Sequence, residues 1–247
     1  AVKGETMRNF MLDFKHLIYV VIERVIVPLL PLFIFGIFLQ MGAEGKVSAI
    51  MGMFLKIIVI IFIMHVVLLV VQFVIAGAIA RKNPFKALAT MLPAYITALG
   101  TQSSAATIPV TLAQTIKNGV REEIASFVIP LCATIHLAGS ILKIVACAYA
   151  ISLSMGMDVA LDLYAGFICM LGILMVAAPG VPGGAIMASI GLIASMLGFD
   201  ASMQGLMIAL YIAMDSFGTA ANVTGDGAIA LIINTIKTKS STETASA

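Results

Sequence analysis

This sequence predicts an all-α integral membrane protein: transmembrane helices plus two re-entrant helical hairpins arranged as an inverted repeat. Three observations predict it. The 247 residues are 61% hydrophobic and only 11% charged, with a mean hydropathy of +1.12; soluble domains are about half apolar and about a quarter charged. Two loop-like stretches, 100–109 (GTQSSAATIP) and 177–184 (AAPGVPGG), interrupt long apolar segments. Irregular backbone at membrane depth survives only where it is buried in protein or lines a wet cavity. The third observation is order: hairpin, span, hairpin, span, the internal duplication of an inverted repeat, whose paired breaks point to a solute site.

The elements follow in order. Residues 1–13 are a cytoplasmic lead-in, and 14–80 hold two transmembrane helices, partly scaffold. The first, Phe14–Met41, carries Pro28 and Pro31 and is expected to kink. The second, Lys46–Ala80, is longer than the roughly 20 residues a span needs. A transport core covers 81–236: hairpin 84–118, helix 122–155, hairpin 162–199 and helix 203–236. Residues 237–247 are polar and small, and are expected to form a disordered cytoplasmic tail. The chain starts at Ala1 with no signal peptide before the first span, so upstream helices are expected to be missing.

Lys and Arg sort this topology. With each interrupted element entering and leaving on one side, Lys3, Arg8, Lys15, Arg81, Lys82, Lys86, Lys117, Arg121, Lys237 and Lys239 share the N-terminal side. The other side holds Lys46 with Asp158, Asp162 and Asp200. That asymmetry makes the first side cytoplasmic. It implies a multi-pass protein of the cell's inner (plasma) membrane with a cytoplasmic C-terminus and the second hairpin opening outward. The net charge of +2 and the lack of a basic run argue against a nucleic-acid partner. Cys132, Cys147 and Cys169 lie in apolar segments without disulfide or metal spacing and read as packing residues.

The last span carries Asp215, Thr219, Asn222 and Asp226 at i, i+4, i+7 and i+11, on one helical face. A carboxylate at the bilayer centre costs about 2.5–3.5 kcal/mol even on the lenient insertion scale, so two on one stripe need a reason. A polar cavity holding a cation and a substrate ammonium supplies one; an interhelix hydrogen-bond network is the plainer account. The preceding span has its own stripe, His136, Ser140 and Lys143. Lys143 lies too deep to snorkel and needs an anion, either Asp215 or Asp226. His16 and His65 are far from His136 in sequence, so no histidine metal site is implied. Ser103, Ser104 and Thr107 bring hydroxyls and half-helix N-termini that suit a carboxylate. Gly180, Gly183 and Gly184 allow close backbone approach.

Four motifs then resemble one family. TQSSAATIPVT (101–111), Ala133-Thr134-Ile135 with Gly139, Gly180-Val181-Pro182-Gly183, and DSFGTAANVTGD (215–226) resemble the dicarboxylate/amino acid:cation symporters. That family includes bacterial dicarboxylate carriers, archaeal aspartate transporters and excitatory glutamate transporters. The resemblance runs from about Phe14 to Ile236 and implies a glutamate-transporter-like fold whose N-terminal helices are absent here. The rule about paired breaks was drawn partly from an archaeal member, so its fit is not independent support. The resemblance implies that Ser103 and Ser104 meet the substrate's α-carboxylate and that Gly180, Val181, Pro182 and Gly183 form a gate tip. Asp215 would take the amino group, Asn222 the carboxylate, and Thr219 would touch substrate. Asp226 would ligate sodium with backbone oxygens near His136 and Asn222. It also implies homotrimers, lipid contact and a sodium-driven symporter working by alternating access, with a proton as the alternative ion and no organic cofactor.

The departures bear on the substrate. Gly218 stands where acidic-substrate carriers have an arginine, and Gln102 stands where an alternative arginine can lie. The family's Asn-Met-Asp-Gly-Thr reads His136-Leu137-Ala138-Gly139-Ser140, so Ala138 removes a carboxylate; Lys143 replaces a usual tyrosine. Either the substrate is a small neutral amino acid, or Lys143 anchors the side chain of an acidic amino acid or dicarboxylate. A third account makes Lys143 a tethered ammonium in place of a lost sodium. A channel and an intramembrane hydrolase using Ser103 and Lys143 are remote readings; the chain reads as a transporter rather than an enzyme.

Overall fold

The computed structural model of this chain describes residues 5–21, 24–25, 27–43, 47–157 and 159–245, and among them no strand occurs. Lys3, Lys46 and Asp158, used above to sort the topology, lie outside the described residues. Residues 1–48 and 49–247 form separate compact units.

The first unit contains α1 (Glu5–Val21) and α2 (Val27–Ala43). Phe10 and Phe14 stack one turn apart on α1, with ring centroids 6.2 Å apart. The span expected over Phe14–Met41 falls partly on α1 and partly on α2, and residues 22, 23 and 26 between them lie outside the described residues. A proline ring disfavours helical backbone in the residue before it, yet is tolerated in a helix's first turn. Pro31 lies inside α2.

The second unit holds most of α3 (Val47–Ala80), followed by α4 (Pro84–Thr90), α5 (Leu92–Thr101), α6 (Ser104–Lys117), α7 (Glu122–Ile135) and α8 (Ala138–Ser154). Then come α9 (Leu161–Met175), α10 (Gly184–Leu197), α11 (Ala201–Ala213) and α12 (Asp215–Ala245). Residues 54–80 and 122–154 are long and apolar enough to cross a membrane, and α11–α12 qualify as one span bent by 60°. The chain is a membrane-embedded, all-helical protein.

Helices α4–α6 fold back on themselves. Asn83 caps α4 by accepting from the Lys86 amide at 3.0 Å. At the far end Asn118 Nδ2 donates to the Ala87 carbonyl at 2.9 Å, so residues 84 and 118 return to one end. The turn uses Gln102 in left-handed backbone (φ 52°) and Ser103 as N-cap of α6. Helices α9 and α10 also lie side by side: a Cβ built on Gly166 would stand 3.8 Å from Met196 Cε. Their connection passes through Pro179 and Pro182 and ends at Gly183 with φ 70°.

Helix α12 is the axis of the unit, packed by α5, α6, α7 and α8. Every residue from Gly218 to Ala228 is buried. Small residues allow this, because a helix surrounded on all sides must let neighbouring backbones approach. A Cβ on Gly227 would meet Met91 Sδ at 2.8 Å. Outward-facing Phe85, Phe127 and Ile173 are largely exposed, as side chains that meet lipid should be. Helix α12 also continues through the polar tail to Ala245, where composition suggested disorder; 228–245 contain no Gly or Pro to stop it.

Candidate functional site

Two helices are unwound where they cross the middle of the unit. Between α7 and α8, His136 and Leu137 leave helical backbone (φ −99°, ψ 91° and φ −115°, ψ 38°). Unwinding exposes the first amides of α8, which its own residues do not cap. Asn222 of α12 caps them: its Oδ1 accepts from the Gly139 and Ser140 amides at 2.8 and 3.3 Å. Its Nδ2 donates to Ser140 Oγ at 2.9 Å. The approach is close enough that a Cβ on Gly139 would lie 2.7 Å from the Gly218 carbonyl. The second break, at Met214, separates α11 from α12, and the Tyr211 and Met214 carbonyls, which each keep a backbone N–H partner, also face a side-chain donor.

That donor is Lys143. Its ammonium is completely buried and donates to Asp215 Oδ1 at 3.1 Å and to the Tyr211 and Met214 carbonyls at 3.3 Å each. It also stands 3.4 Å from the centroid of the Tyr211 ring. Three N–H groups meet three acceptors, which satisfies all the donors an ammonium has. Asp215 Oδ2 accepts the Gly183 amide at 2.7 Å, tying α12 to the second broken loop. Gly218 leaves room for this arrangement, since a Cβ there would stand 3.1 Å from Lys143 Nζ.

The two loop tips meet. Ser103 Oγ donates to the Gly180 carbonyl at 3.0 Å and accepts from the Ala106 amide at 3.3 Å. Beneath the tips lies a small cavity lined by Gln102, Ser104, Ser140, Gly180, Val181, Asp215, Thr219 and Asn222. At about 10 Å³ it has room for at most one water. Eight of the residues singled out in the sequence therefore share one cavity. Ser103, Gly183, Gly218 and Lys143 stand behind its wall through the contacts above. Lys143 has Asp215, and not Asp226, as its partner.

Asp226 lies two turns below Thr219, almost fully buried, with Oδ1 2.8 Å from His136 Nδ1. Its Oδ2 is buried without a hydrogen-bond partner. Sequence reasoning missed Tyr211, His65 and Gln72. His65 Nε2 is 2.9 Å from the Gly139 carbonyl, and Gln72 Nε2 is 3.3 Å from His136 Nε2. The signal was present: His65 and Gln72 stand seven residues apart in an otherwise apolar run, on one helical face. For the hydrolase reading, Ser103 Oγ and Lys143 Nζ are each committed to other partners, and no hydrogen bond joins them among the described residues.

The family model described as the sodium:dicarboxylate symporter family matches residues 1–236 of this chain.

Proposed function

The chain belongs to the sodium:dicarboxylate symporter family, and from that premise we propose that it carries a small neutral amino acid inward with sodium by alternating access. Charge balance around the cavity carries this reading. Asp215 is the one ionic side chain among the lining residues, and the Lys143 ammonium already neutralises it. A zwitterion adds no net charge to such a site. An acidic amino acid or dicarboxylate adds one or two negative charges, with no guanidinium at Gly218 or Gln102 to receive them. Lys143 does not serve as that receiver, because its three donors are spent on Asp215 and two carbonyls. It acts instead as a tethered cation beside Asp215.

On this reading Ser104 and the α6 amides receive the substrate carboxylate, Asp215 Oδ2 and Thr219 receive its ammonium, and Val181 and Ala185 limit its side chain. Asn222 fixes the α8 terminus that walls the cavity. Since the cavity holds barely a water, substrate entry requires the Gly180–Gly183 tip to lift from Ser103. The outward opening of that tip, a cytoplasmic C-terminus, residence in the inner membrane, lipid contact and a trimeric assembly complete the proposal. The partnerless Asp226 Oδ2 fits a hard cation, which prefers oxygen ligands. Asp226, with backbone near His136 and Asn222, would hold sodium, whose charge supplies the thermodynamic link to substrate affinity.

Uptake by proteoliposomes holding the full-length protein tests this. An inward sodium gradient should drive radiolabelled serine or alanine uptake that excess aspartate and succinate leave unchanged. Aspartate uptake abolished by Lys143→Met would instead assign Lys143 to the substrate carboxylate.

A further inference from the structure

We infer that Gln72 of α3 and Gly225 of α12 belong to the cation site, forming with Asp226 and His136 a cradle that any side chain at position 225 would fill. The inference rests on the reading of Asp226 as the sodium-holding carboxylate.

Two buried oxygens lack partners at this place: Asp226 Oδ2 and Gln72 Oε1. The His136 ring joins the groups that carry them, with Nδ1 2.8 Å from Asp226 Oδ1 and Nε2 3.3 Å from Gln72 Nε2. The Gln72 carboxamide and the His136 ring both lie over Gly225. A Cβ built there would lie 2.6 Å from Gln72 Oε1 and 2.7 Å from His136 Cε1, closer than real Cβ atoms come. Glycine at 225 therefore makes the space in which carboxamide and imidazole meet, and the imidazole in turn reaches the carboxylate.

The chemistry of the donors points to a cation. The Gln72 amide donates to Nε2 and the other ring nitrogen faces Asp226 Oδ1, which leaves Asp226 Oδ2 and Gln72 Oε1 without partners. A buried carboxylate oxygen without a partner is costly, and so is an orphaned amide oxygen. A hard monovalent cation satisfies both oxygens at once, the carboxylate by charge and the carboxamide as a neutral oxygen ligand. Polar side chains in a span are expensive and face the interior for a reason. On α3, Gln72 reaches His136 while His65 holds the Gly139 carbonyl, so this helix braces both ends of the unwound segment.

The test is sodium-dependent thermal stabilisation of the purified full-length protein in detergent, without substrate, exchanging sodium for choline at constant ionic strength. Gln72→Leu should raise the apparent sodium Kd tenfold or more. Gln72→Glu, which keeps an oxygen and adds a charge, should bind sodium at least as tightly as the parent. Gly225→Ala and Asp226→Asn should both abolish the response. An unchanged response in Gln72→Leu, with loss in Asp226→Asn, overturns the role of Gln72 and leaves Asp226 standing. A normal response in Asp226→Asn, or none in the parent, overturns both. If Gln72→Leu does not fold, Gln72→Glu decides: a tenfold weaker Kd there contradicts the cradle.

Discussion

Lys143 and Asp215 set the character of the site because each is costly without the other. Removing one partner of a buried ion pair strands a charge, at about 3–5 kcal/mol, whereas removing both is often close to neutral. Lys143→Met should therefore lower the melting temperature strongly, and Lys143→Met with Asp215→Asn should recover most of it. Thermal melts of Lys143→Met, Asp215→Asn and the double variant read this directly, and additive losses would contradict a neutralised pair. Gly218 gives a second prediction. A Cβ there already crowds Lys143 Nζ at 3.1 Å, so Gly218→Arg alone should abolish uptake. Gly218→Arg with Lys143→Tyr clears the space and supplies a fork that grips carboxylate bidentately. That double variant should gain aspartate uptake, measured against the parent. The polar stripes of the two spans could be read from spacing alone. The choice of Asp215 over Asp226 as the partner of Lys143 could not, since it depends on the Tyr211 and Met214 carbonyls beside a break that no residue type announces.

At the scale of elements, breaks of two origins meet at one cavity. The loops at Gln102–Ser103 and 177–183 are written in Gly, Pro and hydroxyl residues, and were legible for that reason. The break at His136–Leu137 has neither Gly nor Pro; it is imposed by Asn222, which captures the α8 amides from across the bundle. Replacing Asn222 by Ala orphans those amides, at about 1–3 kcal/mol. Hydrogen exchange should show faster exchange at the α8 N-terminus with the rest of the span unchanged. The loop tips give a sharper test. A Cβ on Gly180 would lie 4.0 Å from Ser104 Cβ, within the roughly 3.5–4.5 Å a disulfide needs. Oxidised Ser104→Cys with Gly180→Cys should stop uptake, and reduction should restore it. Uptake persisting through a formed crosslink would mean the tips do not part.

At the largest scale, the unit of residues 49–247 joins an apolar exterior to a polar seam along α12. Composition made the membrane legible, and Gly, Pro and hydroxyl residues made the interrupted segments legible. The third wall of the seam was hidden, because α3 reaches it through His65 and Gln72 of an apolar run, by contacts with α7–α8 more than sixty residues apart. The charge asymmetry predicts sidedness. Single cysteines at Asn118 and at Asp200 should label from opposite faces of sealed vesicles, Asn118 from the cytoplasmic face. Labelling of both from one face would contradict the two folded-back elements. The central claim is that the site carries no net charge and so accepts a zwitterion. Calorimetric titration of the purified full-length protein in sodium buffer, with serine, aspartate and succinate in turn, tests it most directly. Saturable heat with serine and none with the two anions is the predicted result. Saturable binding of aspartate or succinate without binding of serine would contradict it.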